Sequence, residues 1–180
     1  MVKEFENKKE WALILGGSSG LGLATAKKLA KHGMNICIVY RNSRSQLDQM
    51  KRDFREITQE SVSFVSYNMD AFQPEKRKEL IEGLKKELDD GKIKVLVHSV
   101  AKGNLKPMVS NSVQVLQTDD FQLTIQAMGI SLYDWVKAVF EAKLFSNDGR
   151  VVSFTSEGNS KALRNYAAVS ACLLYTSDAA

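Results

Sequence analysis

Five short apolar runs, with segments of helical periodicity between them, constrain this chain more than any other feature. The runs cover residues 12–16 (ALILG), 35–40 (NICIVY), 62–68 (VSFVSYN), 93–99 (IKVLVHS) and 150–156 (RVVSFTS). They are near-continuous and rich in Val and Ile, the pattern of parallel strands covered on both faces. Between them, Leu47, Met50, Phe54 and Ile57 recur at helical spacing, and Leu80, Leu84 and Leu88 form a stripe behind Pro74, a residue suited to a helix start. In residues 119–145 the stripe is Phe121, Ile125, Met128, Leu132, Trp135 and Val139. All three stripes are expected in the core. Strand–helix alternation of this kind specifies an α/β fold: a doubly wound parallel sheet in three α/β/α layers, with right-handed crossovers.

Composition narrows the class. At 180 residues and 44% hydrophobic content the chain can bury one sizeable core, so a single domain is expected. The net charge of +4 comes from 25 basic and 21 acidic residues. The bases are spread over helix faces (Lys27, Lys28 and Lys31; Lys85 and Lys86) and do not cluster as a nucleic-acid footprint would. No apolar run approaches the ~20 residues of a membrane span, and MVKEFENKKE has no signal-peptide core. A cytoplasmic protein with neither nucleic acid nor membrane as partner is expected. Cys37 and Cys172 form neither a disulfide framework nor a metal-ligand spacing, so no metal is expected, and Cys37 reads as a core residue.

The first run leads straight into Gly16-Gly17-Ser18-Ser19-Gly20-Leu21-Gly22, followed by a helical segment ending at His32-Gly33. On that segment Gly22, Ala26, Leu29 and Gly33 share one face, with small residues where helix and strand approach. Gly16 permits a sharp turn, and Gly20 leaves room for a pyrophosphate beside the backbone. The helix start then offers N–H groups and a positive dipole to the anion. A glycine cluster alone would mark only a tight turn. After a first strand and before a helix, it predicts dinucleotide binding on a Rossmann-like sheet, through Gly16, Ser18, Ser19, Gly20, Leu21 and Gly22.

The spacing G-x-x-x-G-x-G resembles the short-chain dehydrogenase/reductase family, whose loop reads T-G-x-x-x-G-[IL]-G. Leu15 stands where the family has threonine, and the resemblance runs from about Lys9 to Ala171. It implies contacts to adenine from the end of the third strand, at Asn68 and Met69. It also implies that the end of the fourth lines the nicotinamide ribose, at Ser99, Val100 and Ala101. The second run ends Val39-Tyr40-Arg41-Asn42 without the carboxylate that binds adenosine ribose hydroxyls in NAD enzymes. Arg41 is suited to a 2′-phosphate, with Arg44 as a possible assistant, so NADPH is expected ahead of NADH.

At the catalytic end the chain departs from the ordinary family. His98-Ser99-Val100 replaces Asn-Asn-Ala-Gly and resembles the enoyl-acyl carrier protein reductases of the same superfamily; Gly129 stands where the family places a helix asparagine. His98 is expected to be a strand-end residue without a catalytic role. Tyr166 follows Ser156 by ten residues, and the Y-x-x-x-K position is Ser170. The enoyl-reductase pattern has this gap of ten and Y-x6-K, which would put its lysine at Leu173. The resemblance implies that Tyr166 stabilises an enolate oxygen, with Ser156 as a second donor. The expected function is NADPH-dependent reduction of an α,β-unsaturated acyl thioester, on acyl carrier protein or coenzyme A, in fatty acid biosynthesis. Alternatives are a 3-oxoacyl ketoreductase or other family member, and a non-catalytic NADP(H)-binding module. A homotetramer is implied for the full-length protein.

The last nine residues, CLLYTSDAA, continue no apolar stripe and can be back-translated into a transposon-end adapter used in sequencing-library preparation. The expectation is a reductase domain over residues 1–171, incomplete at its C-terminal strands, and a non-native tail over 172–180. The competing explanation is a natural homologue that lost its lysine, and the uninterrupted reading frame distinguishes the two. A chain cut there would leave a sheet edge and part of the last helix uncovered, and is expected to be inactive and poorly soluble by itself.

Overall fold

The computed structural model describes residues 3–111 and 113–177, and within these the side chains of Arg44, Leu47 and residues 175–177 are excepted. The chain forms two compact units. Among the described residues, one holds 3–99 together with Trp135–Ser153; the other holds Val100–Asp134 and 154–177.

The first unit is a five-stranded parallel sheet with helices. Its strands are β1 (Glu10–Leu15), β2 (Asn35–Tyr40), β3 (Phe64–Asn68), β4 (Lys92–His98) and β5 (Phe145–Ser153), in the order β3-β2-β1-β4-β5. The order in which the chain adds strands therefore reverses between β1 and β4, the switch point at which such sheets bind ligands beyond the strands' carboxyl ends. Helices α1 (Gly20–Lys31), α2 (Leu47–Thr58) and α3 (Pro74–Glu87) supply the crossovers. The α/β doubly wound expectation holds. The core is the central strands plus one face of each helix: β1 and β2 are buried from Trp11 to Leu15 and Ile36 to Tyr40. Met50, Phe54 and Ile57 are buried from α2, with Leu80, Leu84 and Leu88 from α3 and its cap, as their spacing predicts. Phe54 also meets Tyr40 and Phe64 edge-on, with ring centroids 5.8 and 5.1 Å away. On α1 the buried small residues are Gly22, Ala26 and Ala30; Leu29, expected on that face, is only half-buried.

The outermost strand corrects one expectation. β5 begins at Phe145, earlier than its apolar run, and ends at Ser153, so Ser156 lies beyond it. Its pairing with β4 skips from Phe145 to Arg150, looping out 146–149, where Asp148 pairs with Lys94. Val151 and Val152 are 46% and 40% exposed, so this run is an open sheet edge and not a strand covered on both faces.

The second unit centres on α4 (Thr118–Ile125) and α6 (Ala167–Ser177). The helix that carries α4 passes through a π-helical turn, Gln126–Ile130, into α5 (Ser131–Glu141). That turn overturns the third predicted stripe. The buried residues are Asp120, Thr124, Ala127 and Ser131, one position before Phe121, Ile125, Met128 and Leu132, whereas Trp135 and Val139 are buried as expected. Ile125 is 40% exposed. A π turn inserts one residue into the helical count and rotates the preceding segment by about 100°. Among the described residues no helix is long and apolar enough to cross a membrane, and no group of three or more His, Cys, Asp or Glu is placed to hold a metal.

Candidate functional site

The glycine loop spans the end of β1 and the start of α1. Gly16 (φ +79°) and Gly20 (φ +54°) take left-handed backbone that other residues adopt only under strain. A Cβ on Gly20 would meet nothing within 4 Å, so the space beside this backbone is open for a ligand. Gly22 has the opposite reason: a Cβ there would lie 2.4 Å from the Gly16 carbonyl oxygen and 3.0 Å from the Ser99 side chain. Leu21 is exposed, and Ser19, in extended backbone, stands at the N-cap position of α1 without a side-chain capping bond. The first-turn N–H groups of a helix have no carbonyl partner one turn back, so this loop presents donors and positive dipole to an anion. The residues present thus fit a dinucleotide pyrophosphate.

A hydrogen-bonded chain runs from that loop across the carboxyl ends of β2 and β3. Ser18 Oγ donates to Asn42 Oδ1 at 2.8 Å, Asn42 N donates to Asn68 Oδ1 at 3.1 Å, and Asn68 Nδ2 returns a bond to Asn42 O at 3.1 Å. Met69 N donates to Tyr40 O at 2.8 Å, which fixes the turn after β3. Arg41 Nη1 donates to Asp70 Oδ2 at 2.7 Å. Arg41, Asn68, Met69 and Asp70 line one groove of about 690 Å³. The groove thus brings Arg41, Asn68 and Met69 together, and Ser18 is linked to Asn68 through Asn42. Asn42 and Asp70 were missed; both are polar residues beside a strand end, the one signal that could have marked them.

At the switch point Ser99 N donates to Leu15 O at 2.8 Å, holding Ser99 against Gly22. His98 is buried, and desolvation lowers its imidazole to about 4, leaving it neutral at ordinary pH. Val100 and Ala101 come next in the chain and belong to the second unit, Val100 half-buried and Ala101 exposed.

The second unit carries the hydroxyl pair. Ser156 caps a short 3-10 turn, Glu157–Asn159, its Oγ accepting from Gly158 N at 3.3 Å. Asn165 turns the chain at φ +61°, a conformation Asn tolerates better than most residues. Tyr166 follows at the start of α6, and its Oη lies 3.4 Å from Ser156 Oγ. Gly158, also missed from sequence, makes the fit possible, since a Cβ there would come 2.6 Å from Tyr166 Cε1. Ser170 N donates to Tyr166 O at 2.8 Å, the first bond of α6. Gly129 falls inside the π turn. α6 continues to Ser177, with Cys172 and Leu173 buried; residues 178–180, part of the stretch read as a tail, lie outside the described residues.

The segment between β4 and α4 is held by Asp120. Its carboxylate accepts from Gln117 N at 2.8 Å, from Lys106 Nζ at 3.0 and 3.1 Å, and from Asn104 Nδ2. Those donors hold Asp120 below the usual carboxylate range, the Gln117 N–H first.

The family profile described as short chain dehydrogenase matches residues 10–172. The chain belongs to the short-chain dehydrogenase family. Over 137 residues it is 31% identical to the very-long-chain 3-oxoacyl-CoA reductase of Neurospora crassa, a match covering 71% of this chain and 37% of that one. Over 90 residues it is 31% identical to hydroxysteroid dehydrogenase-like protein 1 of Gallus gallus, covering 50% and 25%. The chain thus spans well under two thirds of the length of either curated relative. An NAD+-bound xylitol dehydrogenase superposes with a TM-score of 0.79 at 23% identity, covering 96% of this chain and 62% of that one. That likeness is one of fold, over nearly the whole chain.

Proposed function

We propose that this chain carries the dinucleotide loop and the catalytic hydroxyl pair of an NAD(P)H-dependent reductase of acyl thioesters, acting on a 3-oxoacyl carbonyl. The observation that carries the reading is the 3.4 Å separation of Ser156 Oγ and Tyr166 Oη. Two hydroxyls at that distance can both donate to one substrate oxygen, which a carbonyl under reduction requires as negative charge builds on it. Tyr166 delivers its proton to that oxygen and Ser156 orients it. When bound, the dihydronicotinamide supplies the hydride to the carbonyl carbon. Gly16, Ser18, Ser19, Gly20, Leu21 and Gly22 hold the pyrophosphate at the start of α1, Arg41, Asn68 and Met69 border the adenosine, and Ser99, Val100 and Ala101 border the ribose of the nicotinamide. The 3-oxoacyl substrate follows the Neurospora crassa relative's name. Coenzyme A is the carrier by the same argument.

A second reading, reduction of an enoyl thioester, is favoured by three features of the sequence. The ten-residue interval from Ser156 to Tyr166 and the His98-Ser99 pair follow the enoyl-reductase pattern, and Ser170 occupies the place of the ketoreductase lysine. The reductase domain is assigned to residues 1–171 in either case. Consumption of NADH and NADPH by the intact full-length enzyme is measured with acetoacetyl and crotonyl thioesters in parallel. Turnover of acetoacetyl thioester with no crotonyl turnover is the expected result; the reverse establishes the enoyl reading, and turnover of neither with tight nucleotide binding favours a binding module.

A further inference from the structure

The second strand ends without a carboxylate, yet one reaches its terminus from the next strand. Arg41 and Asp70 are 29 positions apart, and the parallel pairing of β2 with β3 sets them side by side. Asp70 is the fixed partner: its Oδ1 accepts from Phe72 N at 3.0 Å while Oδ2 accepts from Arg41 Nη1 at 2.7 Å, and its side chain is 21% exposed against 67% for the arginine. Among the described side chains the groove they line holds one more cation, Lys76, paired in turn with Glu79 at 2.8 Å. Each of these two cations therefore has its own carboxylate. An incoming phosphate dianion meets an Arg41 whose charge is already balanced and an Asp70 that repels it, whereas a ribose hydroxyl can donate to the same carboxylate.

We propose that Asp70 is the residue that selects between the 2′-hydroxyl and the 2′-phosphate of the adenosine, occupying from β3 the role that other dinucleotide sites give to an acid on β2. This rests on the dinucleotide reading of the glycine loop and deepens it. Arg41 by itself would favour NADPH; Asp70 moves the balance toward NADH. The choice is thus made by a pair and not by the arginine alone.

Asp70→Asn keeps the acceptor for Phe72 N–H and removes the charge. Titration calorimetry of NADH and NADPH on the whole chain, wild type and variant, reads the effect directly. The variant is expected to tighten NADPH about tenfold and to weaken NADH by no more than about threefold. In Asp70→Asn/Arg41→Ala the NADPH gain is expected to vanish, because the freed guanidinium is its source. If either nucleotide binds and the NADPH-to-NADH ratio of Asp70→Asn stays within about twofold of wild type, Asp70 is not the selector. If neither nucleotide binds the folded wild-type chain, as judged by circular dichroism, the dinucleotide reading itself falls and this proposal with it.

Discussion

Gly158 lies against the ring of Tyr166, so close that a Cβ on the glycine would come 2.6 Å from Cε1 and 2.7 Å from Cδ1. The contact leaves the ring no room on that side, and the phenol is thereby aimed at Ser156. Because Ser156 Oγ is itself anchored by Gly158 N, one glycine positions both hydroxyls. Tyr166→Phe, made in the intact enzyme, is expected to lower kcat at least about 100-fold while nucleotide affinity changes little, since only the proton donor is lost. A variant retaining most of its kcat would remove Tyr166 from the chemistry.

Two glycines of the loop should respond differently to alanine. At Gly22 the new methyl collides with the Gly16 carbonyl at 2.4 Å, and backbone cannot step aside cheaply. The expected cost is about 1–3 kcal/mol of native stability. At Gly20 there is no collision, only a φ of +54°, and the cost should be nearer 1 kcal/mol, with loss of nucleotide affinity as the larger effect. Denaturant unfolding of the two variants checks the order; equal destabilisation contradicts the geometry.

His98 makes native stability depend on pH. Burial lowers its imidazole from 6.5 to about 4, so between those values the unfolded chain binds a proton that the fold does not. Its contribution is complete above pH 6.5 and is lost as the pH falls toward 4, by up to about 3 kcal/mol. Asp120, held below its ordinary 3.8, acts in a lower window and stabilises only while it stays ionised. Unfolding free energies measured across this range should slope downward toward acid in the wild type and flatten in His98→Asn. An unchanged slope in the variant would assign the effect to other groups.

The Asp120 carboxylate is nearly buried and gathers three donors from the segment leading into α4. Asp120→Ala leaves Lys106 and the Gln117 N–H without their acceptor, and a clear loss of thermal stability is expected. Lys106→Met should cost clearly less, because a partly exposed ammonium can leave while the other donors remain. Thermal unfolding of the two variants tests this, and a larger loss for Lys106→Met would mean that the segment is held by the lysine's packing.

What the residues alone determined is what short-range pattern can carry. The alternation of apolar runs and helical stripes specified the parallel α/β sheet, because strand and helix periods are local properties of the chain. The glycine loop was legible for the same reason: its turns and close approach to the Gly16 carbonyl involve neighbours in sequence. The serine–tyrosine pair was found through spacing and family likeness. Tertiary structure decided the rest. The buried line through Asp120, Thr124, Ala127 and Ser131 depends on a π turn that no hydrophobic count registers, and the open faces of Val151 and Val152 depend on β5 lying at the sheet edge. Strand register decided the neighbours of Arg41 as well. The second strand has no acid at its end, and only the hydrogen-bonded pairing of Tyr40 with Asn68 places Asp70 within reach of Arg41.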